Sequence, residues 1–255
     1  MMKNTNVLKW VNVGATVAMI VVNALANALP LNGLNTGEIS DRFEVYFVPA
    51  GYVFSIWGLI YLALLAFTIY QLTPHSAGTR DRIGYLYALS AVANIAWIFL
   101  WHYEVFPLTL IAMLVLLGSL IAIYLLLGIG VRRPAASERW TVNFPFSLYL
   151  GWITVATVAN VTSLLDYLNW GGWGIAPEAW AVIMLIVAAG VALAVSFTRG
   201  DITYITVIVW AYIGIAVKHG STPVVAIPAT VLATLVGLSL VVTVPRVRRR
   251  LASAL

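Results

Sequence analysis

Apolar residues run in blocks of about 20 along this chain, separated by short polar pieces. The blocks cover roughly 7–29, 49–72, 83–101, 105–128, 144–165, 178–198, 202–218 and 223–244. A membrane-spanning helix needs about 20 apolar residues, because each adds about 1.5 Å against a hydrocarbon core of roughly 30 Å. The intervening LNGLNTGEISDRF, TPHSAGTRDR, HYE, VRRPAASERWTVN, DYLNWGGWG, RGD and KHGSTP hold nearly all the turn formers. The pattern therefore predicts an all-α fold, a polytopic transmembrane helical bundle of about eight spans. No linker is long enough to separate a pair of soluble domains. The first block is too long for a signal-peptide core and shows no small-residue cleavage site, so it reads as a retained first helix.

Composition agrees. The 255 residues are 62% hydrophobic and 9% charged, where an average soluble domain is about 25% charged. With no cysteine, disulfides, thiolate metal sites and cysteine nucleophiles are excluded.

Charge placement orients the bundle, since Lys and Arg collect in cytoplasmic loops. With the N-terminus inside, Lys3, Lys9, Arg80, Arg82, Arg132, Arg133, Arg139, Arg199, Arg246, Arg248, Arg249 and Arg250 are cytoplasmic, which is 12 of 14 basic residues. Arg42 and Lys218 fall outside, with Glu38, Asp41, Glu44, Glu104, Asp166 and Glu178. An integral, multi-pass protein with both termini cytoplasmic follows, and a prokaryotic plasma membrane is the expected setting. The net charge of +5 is met by this rule and by anionic lipid at the C-terminal RVRRR; it gives no reason to invoke nucleic acid. All 23 charged residues sit in loops or at predicted helix ends. Intramembrane ionisable groups mark proton and ion paths, so an ion-coupled transporter is disfavoured, as is a retinal protein.

The predicted helices carry rings and amides on shared faces. Phe54, Trp57 and Tyr61 are spaced by three and four; Asn94, Trp97 and Trp101 fall at i, i+3 and i+7; Pro145, Tyr149, Trp152, Ala156 and Asn160 form one stripe. The topology sets Trp57, Asn94 and Asn160 at a similar level, about 8–12 Å below the outer surface, which is deeper than an interfacial belt. Polar groups at that depth need partners, so the three stripes are expected to meet around a packed core or a cavity. The blander assignments are interhelical hydrogen bonding for Asn94 and Asn160, aromatic belts for Trp10, Trp101, Trp140, Trp170 and Trp173, core packing for Trp57 and Trp152, and helix starts for Pro49, Pro107, Pro145 and Pro223. Ala-Asn recurs at Asn27, Asn94 and Asn160, spaced 67 and 66 residues apart, as a faint hairpin repeat would. His102 with Glu104 makes no convincing metal set, and no nucleophile–base pair or catalytic residue stands out.

These residues carry a family resemblance. PAGYVFSIWGLIY resembles the Pro-x7-Trp-x3-Tyr signature of the tryptophan-rich sensory protein family (TspO/MBR), which includes the mitochondrial translocator protein or peripheral benzodiazepine receptor. Asn94-x2-Trp97 is similar to that family's Leu-Asn-x-x-Trp segment, with Ala93 in place of Leu. Trp152 to Asn160 is similar to its Trp-x-x-Phe-Ala-Thr-x-Leu-Asn segment, with Val155 and Ala159 at the Phe and Leu positions. The resemblance covers residues 49–160; the family's Trp-Tyr and Lys-Pro elements before the second helix are absent, and VTSLLD after Asn160 lacks the proposed cholesterol motif.

The resemblance implies a five-helix unit over 1–170, usually dimeric; the three additional helices and basic tail over 171–255 lie outside it and rest on the apolar pattern alone. It implies a pocket for a porphyrin, haem-type or other flat aromatic ligand, lidded by residues 31–48. The expected ligand-binding residues are Phe54, Trp57, Tyr61, Asn94, Trp97, Tyr149, Trp152, Ala156 and Asn160. No cofactor is required and no metal ligands are expected; the partners would be membrane lipid, a hydrophobic small molecule and a second copy of the chain. A binding or sensory role leads, while an exporter or transporter of a neutral or amphipathic solute and a porphyrin-degrading enzyme stay open.

Overall fold

In the computed structural model, residues 4–29 and 31–253 are described; Lys3, one of the twelve cytoplasmic basic residues, and the last two residues of the tail lie outside the described residues. Eight long helices follow in order: α1 (Asn4–Ala28), α2 (Ile56–Gln71), α3 (Leu86–His102), α4 (Phe106–Leu127), α5 (Phe144–Tyr167), α6 (Pro177–Arg199), α7 (Ile202–Lys218) and α8 (Pro223–Ser253). They coincide with the eight apolar blocks. Six apolar stretches are long enough to cross a membrane. The other two helices, α3 and α7, have 17 residues each, about 25 Å. A short helix ahead of α3 meets it at a 66° bend.

Local chemistry sets the boundaries. Pro107, Pro145 and Pro177 occupy first turns, where a missing N–H costs no helical bond. α6 stops at Gly200, which takes a left-handed φ of 58° that suits glycine, and the Asp201 side chain then caps α7 by accepting from the Tyr204 N–H. Two expectations are corrected. Pro49 stands ahead of a 3-10 turn (Gly51–Ser55), with regular α-helix beginning only at Ile56. α8 does not end near 244 but continues through Pro245 to Ser253; the proline removes one ladder bond, and RVRRR is helical.

The first five helices close a ring. α1 packs on α2 and α3, α3 on α4, α4 on α5, and α5 on α2. α7 lies along the outside of α5, with α6 and α8 packed on it and on each other. Small residues permit the approach: a Cβ on Gly151 would sit 3.0 Å from Val207, and one on Gly214 would run into the Val53 side chain and sit 3.0 Å from Pro49. One continuous buried cluster runs from Met19 in α1 to Val236 in α8.

A buried polar seam joins the ring helices. Asn12 donates to Gln71 at 2.8 Å; the Thr16 hydroxyl pairs with Thr68 and Tyr87; Asn23 donates to Asn94, which donates to the Tyr149 hydroxyl. Seams of this kind hold membrane helices in register, because a lone polar group in hydrocarbon is costly.

Every ion pair among the described residues joins segments that the charge pattern put on one side. Arg42–Glu104 and Lys218–Asp41 lie at one end of the bundle, Arg82–Glu138 and Arg132–Glu138 at the other. At the second end Arg80, Glu138 and Asp201 are buried, so loop charges there are folded into the protein.

Candidate functional site: an aromatic cavity under a lid

A cavity of about 460 Å³ opens where α1 and α3 finish and α2 begins. Its wall is aromatic: Phe54 from the 3-10 turn, Trp57 and Tyr61 in the first and second turns of α2, and Trp97 of α3. Trp57 stacks on Tyr61, with centroids 5.5 Å apart and planes 24° apart. Asn23 and Asn27 of α1 supply polar edges.

Behind this wall the α2 and α5 stripes interlock. Trp57 meets Tyr149 at 6.1 Å and Trp152 at 6.2 Å, and Phe54 meets Trp152 at 5.7 Å, all edge-on. Edge-to-face contacts fix ring planes as well as bury area. Trp97 stacks on Trp101 at 5.2 Å. The indole N–H groups of Trp97 and Trp152 are buried and make no hydrogen bond within the protein.

The lid is a built element. Asn35 caps the short helix Thr36–Ser40 by accepting from Gly37 and Glu38 N–H, and the Glu38 side chain accepts from Asn35 N–H, a reciprocal capping box. Asn35, Thr36, Gly37, Glu38 and Asp41 face the cavity. His102, fully buried at the end of α3, holds the lid with both ring nitrogens: Nε2 lies 3.1 Å from Thr36 Oγ1 and Nδ1 lies 3.1 Å from the Leu31 carbonyl. Trp101 donates to the Thr36 carbonyl at 3.2 Å. Trp101 thus belongs beneath the lid and not to an aromatic belt, whereas Trp10, Trp140 and Trp173 are exposed.

The three C-terminal helices anchor the far side of the lid segment. Lys218 Nζ lies 2.7 Å from Asp41, and the Tyr46 hydroxyl donates to Glu178 at 2.9 Å. This hydrogen bond raises the Tyr46 phenol above its usual range, with burial and the charges of Glu178 and Glu44 adding to it. The His219 ring packs 5.1 Å from Tyr46; burial, then the Lys218 charge, lowers its pKa.

The sequence-selected residues divide between the lining and its support. Phe54, Trp57, Tyr61 and Trp97 line the cavity. Tyr149 and Trp152 back it, and Asn94 ties α1, α3 and α5 together beneath it. Ala156 is half-buried in the core. Asn160 points elsewhere, donating to Thr109 of α4 at 2.9 Å, so the α5 stripe meets the other two only through its Tyr149–Trp152 portion. Residue-by-residue reading did not select Asn23, Asn27, the lid helix or His102. The Asn35…Glu38 spacing is a visible capping-box signal, and Asn27 belongs to the Ala-Asn repeat.

The architecture is that of a polytopic integral membrane protein. The chain belongs to the TSPO-like protein family, whose match covers residues 9–242. That match takes in α6, α7 and most of α8, beyond the three motifs that carry the resemblance. No curated protein and no solved structure matches the chain.

Proposed function

We propose that the protein binds a flat aromatic ligand of the porphyrin type in the cavity between α1, α2 and α3, as a sensor or receptor in the membrane. The observation that carries this reading is the stacked Trp57–Tyr61 pair on the wall of a lidded cavity of about 460 Å³, a volume within the roughly 300–1,000 Å³ of small-molecule sites. The ligand plane would lie against Trp57, with Asn23 and Asn27 setting its orientation. The charge pattern supports an outward-facing lid with both termini in the cytoplasm, and a prokaryotic plasma membrane is the setting of this reading. In this reading residues 1–170 form the ligand-binding ring, usable alone or as a homodimer. Residues 171–255 form an added unit that steadies the lid through Lys218 and Glu178.

The lining refines the ligand class. It contains Glu38 and Asp41 and no Lys or Arg, so a ligand with few carboxylates is favoured over a multiply anionic one. Titration of the detergent-solubilised protein with protoporphyrin and with its dimethyl ester, read from the porphyrin absorption band, tests both points. The reading expects saturable binding of both with the ester tighter; no saturable binding of either removes it. Sealed vesicles separate the alternatives: a binder saturates, a transporter accumulates ligand inside, and an enzyme yields a spectrally new product.

A further inference from the structure

At the opposite end of the bundle lies a second cavity, of about 780 Å³, formed by the turn after α4, the lead-in to α5, the α6–α7 turn and the last turns of α8. Five arginines line it, Arg132, Arg133, Arg139, Arg199 and Arg248, against one acid, Asp201. Asp201 is committed inward: it accepts from the Tyr124 hydroxyl at 2.9 Å, the Ser147 hydroxyl at 2.6 Å and the Tyr204 N–H at 3.2 Å. Arg132 pairs with Glu138. Arg199 donates to the Ile129 carbonyl at 3.3 Å and lies over the Tyr124 ring. The remaining three, Arg133, Arg139 and Arg248, belong to none of the four ion pairs among the described residues. Guanidinium groups gathered from three separate segments and left without carboxylates form a surface complementary to phosphate oxygens.

This cavity does not end in water on every side. A groove of about 460 Å³ shares Trp140, Phe144, Ile202 and Thr203 with it and continues between α2, α5 and α7 past Leu148, Val207 and Leu59 to Trp210. From Ile202 to Trp210 is eight residues of helix, about 12 Å. A basic chamber at a helix end, continuous with an apolar channel along the bundle flank, has the polarity profile of an amphiphile. A soluble phosphate would fill the chamber and leave the channel empty.

We propose that this double cavity is a specific site for an anionic phospholipid, its phosphate held by Arg133, Arg139 and Arg248 and one acyl chain laid along the α5–α7 groove. Basic pockets between transmembrane helices on the cytoplasmic side bind lipid headgroups in this way, and Trp140, 65% exposed at the junction, occupies the headgroup level that tryptophan favours. The site is separate from the aromatic cavity and does not depend on that cavity's ligand. Its occupant would bridge the five-helix ring and the three added helices.

Native mass spectrometry of the full chain in detergent tests this, with added palmitoyl-oleoyl phosphatidylglycerol, the matching phosphatidylcholine, or inorganic phosphate. Phosphatidylglycerol is expected to be retained at least about tenfold more strongly than phosphatidylcholine. Arg133→Gln and Arg139→Gln, both exposed side chains, should each cut that retention about fivefold while Arg139→Lys restores most of it. Thr206→Trp, which fills the groove from an exposed position, should also weaken it. Equal retention of the two lipids, or phosphatidylglycerol retention unchanged by both the arginine and the groove variants, overturns the proposal. Competition by inorganic phosphate with no effect of Thr206→Trp also overturns it, in favour of a soluble-phosphate site.

Discussion

His102 at the end of α3 meets Thr36 of the lid through Nε2 at 3.1 Å, and its other ring nitrogen faces the Leu31 carbonyl. One fully buried imidazole thereby fixes both the start of the lid and the lid helix. His102→Ala would orphan both partners, a cost of about 1–3 kcal/mol. Amide exchange across Thr36–Ser40 should then quicken by about 5- to 150-fold, with exchange in α4 unchanged. Hydrogen-exchange mass spectrometry reads this directly; equal exchange in the two proteins would mean that His102 does not hold the lid.

The Lys218–Asp41 pair makes a weaker clasp, since the two side chains are 28% and 64% exposed. Exposed pairs contribute about 0–1 kcal/mol and are screened by salt. Lys218→Ala should therefore raise lid exchange by no more than about fivefold at low salt, and the difference should vanish near 1 M salt. A double-mutant cycle with Asp41→Ala isolates the coupling.

Gly214 is a point at which α7 touches the 3-10 turn that leads into α2. A Cβ there would run into the branched, fully buried side chain of Val53, and the Gly214 carbonyl accepts from Ala50 N–H at 3.1 Å. Gly214→Ala should destabilise by about 1–3 kcal/mol through overpacking and lower the thermal midpoint in detergent. Gly190→Ala, in open space inside α6, is the matched control: it gains helix propensity without a clash and should leave the midpoint unchanged or raise it.

Two asparagines that look alike in sequence should behave differently. Asn160 makes one interhelical bond, to Thr109, and Asn160→Ala should cost about 0.6 kcal/mol without altering ligand affinity. Asn94 links Asn23 to Tyr149, directly behind Trp57. Asn94→Ala should cost more and weaken ligand binding as well, which paired unfolding and titration experiments would separate.

The helices were legible because a ~30 Å apolar slab imposes long uninterrupted runs, and the ends of the runs are marked by proline, glycine and charge. Which loops share an end of the bundle follows from the same alternation of runs and breaks, and the ion pairs join loops of a common end. Spacing put Tyr149 and Trp152 on one face of α5 and Trp57 and Tyr61 on one face of α2, and the meeting of the two faces followed from their similar depth. The lid was not found this way. Its helix is five residues long, too short for a periodic signal, and its anchors come from His102, Glu178 and Lys218, far away in sequence. The direction of Asn160 was equally hidden, since a stripe wider than one neighbour serves two, and helix α4, with its Thr109, competes with the pocket for the amide.

The central claim is that an aromatic ligand lies on Trp57. The most direct measurement is the porphyrin ester affinity of Trp57→Ala beside that of Trp10→Ala, an exposed tryptophan outside the cavity, by absorption titration in detergent. Base–aromatic and ring-stacking losses run to about 1–3 kcal/mol per ring, so Trp57→Ala should weaken binding at least about fivefold while Trp10→Ala leaves it unchanged. Equal affinities for wild type and both variants would contradict the assignment of the cavity as the binding site.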